Sequence, residues 1–400
     1  MFSLTMPMKQ TAPFFHRGFG QPARLHELYK LRSERAVQLK LLQNRPSVTW
    51  LPRDERTLSG CRVRYLQFES PAAALLPSES RLSTFMLVTP PERGSGSGTG
   101  TPLVCLMPPT ADFTFAARLH FLGVPLAKRG IASLIPMIPF YADRKPPEQF
   151  RACLLTVGDL FSLGAGVVSE TAGLFNLFSD EGRFSAFGVS GYSLGGYLAA
   201  QVALVVDREL ACVPIVVPRS ATAVFTRGVL SRVVDFAGDM RAEVLDPARR
   251  QLILDAVELQ EKDFVFPRSV FSGGVEADQW SVSRIVRTHF SPLLSDWLLR
   301  APPPPAELRE TMYVFANVLE HMTNLGAFNS PKRPEAMINV VARHDRYVPH
   351  DEHLEGAWPG STVRYLNSGH VSTLFYQQRL IDTIVESFAR LADEKNKKQR

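Results

Sequence analysis

Phe187-Gly188-Val189-Ser190-Gly191-Tyr192-Ser193-Leu194-Gly195-Gly196-Tyr197 is a short apolar strand that runs into Gly-x-Ser-x-Gly and then into a helix-forming run reaching Val206. A serine hydroxyl is a poor nucleophile unless it is held exposed beside a base. A tight turn from strand to helix does this, lifting the side chain above the sheet and aiming the next residue's N–H at the reaction centre. Gly191 and Gly195 suit that turn because a Cβ at either place would crowd the approaching helix. The bare pattern is common by chance. Its position between a strand and a helix is what gives it weight.

Working outward, short apolar strands alternate with helices. Strands are expected at 62–70, 84–89, 103–107, 131–135, 184–189, 211–217, 337–342 and 362–366. Helices are expected at 24–42, 115–129, 147–178 (with a break near Gly164 and Gly166), after Ser193, and at 371–392. This rhythm marks a mostly parallel α/β sheet with helices on both faces, starting with an antiparallel edge. The Gly/Ser-rich stretch 90–102 reads as a hairpin-like connection between two strands. From 219 to 335 the strand rhythm stops, and helical patterns, aromatic residues and Ala301-Pro-Pro-Pro-Pro-Ala306 take over, as in a helical cap inserted between late strands. The implied division is an N-terminal extension at 1–50, a core at 51–218, the cap at 219–335, the rest of the core at 336–394, and a basic tail at 395–400.

A nucleophilic serine needs a base, and the base needs an orienting acid. Val340-Val341-Ala342-Arg343-His344-Asp345 ends one late strand, and Tyr365-Leu366-Asn367-Ser368-Gly369-His370 ends the next. The order Ser193, Asp345, His370 is the chain order of an α/β-hydrolase. Plainer readings stand beside it: Asp345 as a turn cap, His370 as a residue near a helix start, Ser193 as a turn serine. Asp235 and Asp239 are rival acids from the cap. His344, His350 and His353 cluster near Asp345 without a second ligand group elsewhere, so no metal site is expected. The oxyanion formed on attack needs two N–H donors. Leu194 supplies one, and the loop Pro108-Pro109-Thr110-Ala111-Asp112 the other. Proline has no N–H, which leaves Thr110 or Ala111, with Thr110 preferred.

The 400 residues are 45% hydrophobic and 21% charged with a net charge of +6, an ordinary balance for a globular protein with a large core. The positive excess is spread along the chain apart from its last six residues. It is compatible with peripheral contact with an anionic membrane, and no nucleic-acid signature accompanies it. Cys61, Cys105, Cys153 and Cys212 are far apart and read as buried, reduced thiols. No run of eighteen apolar residues suggests a membrane span. The start of the chain is basic and free of acids up to Glu27, compatible with a mitochondrial transit segment; a cytoplasmic extension that packs on the domain is the alternative.

Several segments together resemble the family of alpha/beta-hydrolase domain-containing protein 18 and its relatives. They are His16-Arg17-Gly18-Phe19-Gly20-Gln21-Pro22, Pro139-Phe140-Tyr141-Ala142-Asp143-Arg144-Lys145-Pro146-Pro147-Glu148-Gln149, Gly191 to Gly196, Thr226 to Ser231, Trp358-Pro359-Gly360 and Ser368-Gly369-His370. The resemblance implies an α/β-hydrolase fold, the triad Ser193, Asp345 and His370, and a mitochondrial, lipid-directed ester hydrolase. One departure is plain: the loop that looks Gly-rich in such proteins (Ala-Gly-Thr-Gly-Asp) reads Pro108-Pro109-Thr110-Ala111-Asp112 here. The 139–149 segment follows a strand, at the sheet edge where ligands bind in open α/β folds. Tyr141, Arg144 and Lys145 there are candidates to face an anionic substrate group, with an Arg144–carboxylate brace as the alternative.

The resulting expectation is a serine hydrolase cleaving an acyl ester, of a lipid or phospholipid, without a cofactor, and with aromatic and aliphatic cap residues as the acyl wall. An acyltransferase or thioesterase would use the same residues, and a non-catalytic scaffold of the same fold is the alternative from another class. Oligomeric state is not legible in the sequence.

Overall fold

The strands are β1 (Thr49–Trp50), β2 (Arg56–Leu58), β3 (Cys61–Glu69), β4 (Leu82–Thr89), β5 (Leu103–Met107), β6 (Ala132–Met137), β7 (Phe187–Tyr192), β8 (Ala211–Ile215), β9 (Ile338–Ala342) and β10 (Thr362–Leu366). The computed structural model describes residues 13–91, 100–272, 305–345, 347–348, 354 and 358–398. Within it the strands form one sheet in the order β1-β3-β4-β6-β5-β7-β8-β9-β10, with β2 on β3. Pairing is antiparallel as far as β4–β6 and parallel from there to β10. The mostly parallel sheet with an antiparallel edge is therefore as the sequence implies.

Strand β5 shows why the sheet is covered twice. All five of its residues are buried. Side chains alternate across a strand, so Leu103, Cys105 and Met107 join one core while Val104 and Leu106 join the other. Val157–Asp180 and Leu194–Val205 cover the first face, and Leu119, Leu126, Ile381, Ile384 and Phe388 cover the second. All four cysteines are buried and free. Burial pushes the Cys105 thiol up to about 12 and the Cys153 thiol to about 11, so both stay protonated.

Three local expectations are corrected. The 90–102 stretch, of which 92–99 lie outside the described residues, does not join neighbouring strands, because β6 lies between β4 and β5. A flexible run suits that step, which crosses two strand spacings, roughly 10 Å. The expected helix at 147–178 begins only at Val157. Thr156 and Asp159 close a capping box there, with Thr156 Oγ1 accepting from the Asp159 N–H at 3.1 Å and Asp159 Oδ2 accepting from the Thr156 N–H at 2.9 Å. It continues unbroken through Gly164 and Gly166; an ideal Cβ on Gly166 would lie 2.7 Å from Pro139, so that glycine serves close packing. The helix expected at 24–42 is two helices, Pro22–Ser33 and Arg35–Leu42, separated by Glu34 in extended backbone.

Between β8 and β9 the described residues form helices such as Ala221–Thr226, Pro247–Ala256 and Arg309–Thr323, and no strand is found among them. The polyproline run at 301–304 lies outside the described residues. Among the described aromatic residues of this stretch, Phe225, Phe236 and Phe315 pack on each other and on the N-terminal segment, as in an ordinary core. Phe15 meets Phe225 at 5.1 Å and Phe315 at 5.8 Å, and Phe236 meets Phe315 at 5.4 Å. All are buried. The N-terminal residues are held by backbone bonds from Phe14 to Val233 (2.7 Å) and from Phe15 to Leu154 (2.8 Å), and by the Phe19 N–H donating to Glu243 at 2.8 Å.

Candidate active site

The chain leaves β5, builds β6 on one side of it, then crosses back to build β7 on the other. That reversal opens a crevice beyond the carboxyl ends of β5 and β7, the place where open α/β sheets hold ligands. The loop after Met107 and the turn after Tyr192 meet there.

Ser193 links β7 directly to the Leu194–Val205 helix, with φ +54° and ψ −119°. A non-glycine residue at positive φ is strained, and here the strain holds the hydroxyl at the apex of the turn. The Ser193 N–H donates to Ile215 O at 2.9 Å, which fastens the turn to the sheet. Gly195 lets the helix start touch the neighbouring loop. An ideal Cβ on it would stand 2.5 Å from Met107 O and 2.8 Å from Pro108 O. The helix start leaves the Leu194 N–H without an intrahelical partner.

Strands β9 and β10 pair in register up to Ala342 and Leu366. The His344 N–H then donates to Ser368 O at 2.9 Å, so the two following loops travel side by side. Asp345 and His370 meet as a result. Asp345 Oδ2 lies 2.7 Å from His370 Nδ1, and His370 Nε2 lies 3.0 Å from Ser193 Oγ. Asp345 is 2% exposed and His370 8%. With Nδ1–H donated to the buried carboxylate, Nε2 is left with its lone pair facing the serine hydroxyl. Asp345 also caps a turn, its Oδ1 accepting from the N–H of Tyr347 (2.8 Å) and of Val348 (3.1 Å). Both readings of this residue thus describe one carboxylate. Asp235 accepts the N–H of Ala237 and of Gly238 in its own turn, and Asp239 opens the Asp239–Leu245 helix. His344 bonds Asn367 at 2.7 Å, while His350 and His353 lie outside the described residues. Among the described residues no His, Cys, Asp and Glu side chains group as a metal site.

The family alpha/beta hydrolase domain containing 18 matches residues 12–390. The chain belongs to this family. It is an α/β-hydrolase. Similar solved structures include an acetyl xylan esterase from Paenibacillus sp. R4, at 13% identity and TM-score 0.49, covering 95% of this chain and 99% of that one. The rice cell wall degrading esterase LipA from Xanthomonas oryzae is 16% identical with TM-score 0.43, covering 88% of this chain and 98% of that one.

In this α/β-hydrolase the 139–149 segment is not laid out as an anion site. Arg144 is 1% exposed, and its guanidinium is engaged on every side. It donates to Glu170 at 2.6 and 3.0 Å, to Ser80 O at 2.5 and 3.2 Å, and to Met137 O at 2.6 Å. The candidacy of Arg144 for substrate is thus corrected in favour of the brace. Lys145 Nζ donates to Gln149 O at 2.7 Å and Pro146 O at 3.1 Å, closing its own loop. Tyr141 is buried, and the Ala111 N–H donates to its hydroxyl at 3.5 Å. Thr110 and Ala111 are both exposed at the mouth of the crevice, and Ala111 stands at φ +68°.

Two tyrosines escaped the sequence reading. Tyr347 stacks on His370, with ring centroids 4.6 Å apart and planes at 23°. The Tyr192 hydroxyl donates to the His370 carbonyl oxygen, with the rings 5.3 Å apart. Burial, reinforced by Asp345, pushes both phenols above their ordinary range, so they remain neutral. Tyr192 lay in plain view as the variable residue before the serine. Tyr347 lies two residues after the acid, a spacing that carries no signal of its own.

Proposed function

We propose that the protein is a serine hydrolase that cleaves an acyl ester, of a lipid or phospholipid, through an acyl-enzyme on Ser193. The observation that carries this reading is the continuous chain Ser193 Oγ, His370 Nε2, His370 Nδ1, Asp345 Oδ2, with Ser193 strained at the end of β7. His370 takes the hydroxyl proton as Ser193 Oγ attacks the acyl carbonyl, and Asp345 holds the ring in the productive tautomer and stabilises the imidazolium. The Leu194 and Thr110 N–H groups hold the oxyanion. His370 then returns the proton to the leaving alcohol, and water, deprotonated the same way, releases the acid.

Support for a lipid acyl group comes from the rim. Leu374 and Phe375 follow His370 by four and five residues in the Val371–Tyr376 turn, and Phe375 is 85% exposed. An aromatic ring left in water on the turn that follows the histidine suits an apolar chain or a membrane surface, and the net charge of +6 suits an anionic one. A mitochondrial location belongs to the same proposal. Any leader that is removed would end before Phe14, whose N–H is bonded to Val233.

The test is hydrolysis of p-nitrophenyl esters of rising chain length and of phospholipid vesicles, with product analysis. Release of free fatty acid, lost by about 10⁴-fold or more in Ser193→Ala, supports the reading. Acyl groups recovered only on an added acceptor would move it to acyl transfer. Turnover retained by Ser193→Ala would remove it.

A further inference from the structure

The most distinctive motif in the chain, Pro139 to Gln149, has no part in the hydrogen-bonded chain from Ser193 to Asp345. It has a strained backbone, however. Phe140 stands at φ +67° and Ala142 at φ +50°, one on each side of Tyr141. Non-glycine residues hold such angles only where their surroundings over-determine them. The surroundings here are dense: Ser80 Oγ donates to Arg144 O at 2.5 Å and accepts from the Phe140 N–H at 3.0 Å. Gln149 Nε2 donates to Phe140 O at 2.9 Å, and Arg144 with its Glu170 partner is sealed beneath. All of this fixes one side chain that reaches out of the segment, Tyr141, and its hydroxyl meets the loop after β5.

That loop is a four-residue turn. The Asp112 N–H donates to Pro109 O at 3.2 Å, and only Ala111, the third residue, is at positive φ, the pattern of a type II turn. Glycine is the usual occupant of that position. A turn of this kind can flip its central peptide, and the flip decides where the Thr110–Ala111 amide points. Here the Ala111 N–H is directed to the Tyr141 hydroxyl, which also meets the Thr110 side chain. The other end is tied by Asp112 to buried Arg118 at 2.8 Å, and the start by the contact of Gly195 with Met107 and Pro108.

We propose that the 139–149 segment is a buttress for the oxyanion loop, in which Tyr141 is the positioning residue: by holding the Ala111 N–H and the Thr110 side chain it fixes the turn that presents the Thr110 N–H, on the preceding peptide, to the oxyanion beside that of Leu194. This deepens the serine-hydrolase reading and rests on it. The glycine freedom missing from Pro108-Pro109-Thr110-Ala111-Asp112 is thereby replaced by an external lock. Burial keeps the Tyr141 phenol protonated, so the lock holds across the working pH range.

The experiment measures kcat and KM for p-nitrophenyl butyrate, affinity for an alkyl boronic acid that mimics the tetrahedral intermediate, and thermal stability. Ser193→Ala, Tyr141→Phe and Thr110→Pro are compared. Proline is favoured at the second position of such a turn, so Thr110→Pro removes the proposed donor and keeps the loop. Expected is a fall in kcat of about tenfold for Tyr141→Phe and about 10²-fold for Thr110→Pro, at nearly constant KM, with boronate affinity falling in parallel. Wild-type kcat in both, with Ser193→Ala inactive, overturns the buttress and leaves the hydrolase reading standing. A change in KM alone for both variants likewise overturns it. Ser193→Ala with full turnover overturns the underlying reading instead.

Discussion

The Ser193 turn and the loop that faces it solve the same problem by opposite means. Around Ser193 the close approach is written into the chain itself, by Gly191 and Gly195, whose missing side chains admit Met107, Pro108 and the helix start. In the facing loop there is no glycine. Proline stiffens its entry, Ala111 bears the positive φ, and its shape is held from afar by Tyr141 and Arg118. A locally encoded turn survives changes around it but not within it. A remotely braced one has the reverse sensitivity.

The largest expected effect tests the local half. Gly195→Ala places a methyl group against two backbone carbonyls that cannot swing aside, so ester hydrolysis should fall by 10²-fold or more, about the cost of a lost oxyanion donor, with a lower melting temperature. Activity near wild type would mean the turn has room that its geometry denies. Next comes the remote half. Arg144→Met leaves Glu170 buried without its cation and should destabilise the protein by about 3–5 kcal/mol in denaturant titration, while Arg144→Met with Glu170→Met should recover most of the loss. If the single variant is as stable as the parent, the brace under Tyr141 is not one.

Smaller effects separate the histidine's supports from the loop's. Tyr347→Leu removes the ring stacked on His370, worth about 1 kcal/mol, and should cost up to about tenfold in kcat, with Tyr347→Phe close to wild type. An unchanged rate in the leucine variant would leave the stacking without function. The smallest change is Ala111→Gly, which relieves the positive φ and should alter stability by no more than about 1 kcal/mol in either direction. Its kcat should stay near that of the parent as long as Tyr141 holds the peptide.

The same contrast explains what the sequence disclosed. Short apolar and β-branched runs set the strands, with 103–107 and 362–366 matching β5 and β10, because burial in a pleated sheet leaves a local trace. The serine turn was legible for the same reason, and the strand ends at Asp345 and His370 followed from chain order. Long-range choices left no such trace. That β6 sits between β4 and β5 depends on a crossover, not on either strand's composition. For Arg144 both an anion-binding role and a carboxylate brace stood open, and the partner could not be named, because a guanidinium and its carboxylate, 26 residues apart at Glu170, cannot be matched by pattern. Tyr347 and Tyr192 gained their roles only when β9 and β10 brought the histidine between them. The 139–149 segment was recognisable as distinctive, and its position after β6 was right, but its occupant is the neighbouring loop.

Whether Ser193 is the nucleophile is read most directly by intact mass after reaction with a fluorophosphonate. One phosphonyl group per folded chain is expected, placed at Ser193 by peptide mapping, absent in Ser193→Ala and slowed by at least 10³-fold in His370→Ala. A folded wild-type protein that takes up no label, or a Ser193→Ala variant labelled as fast as the parent, would contradict this.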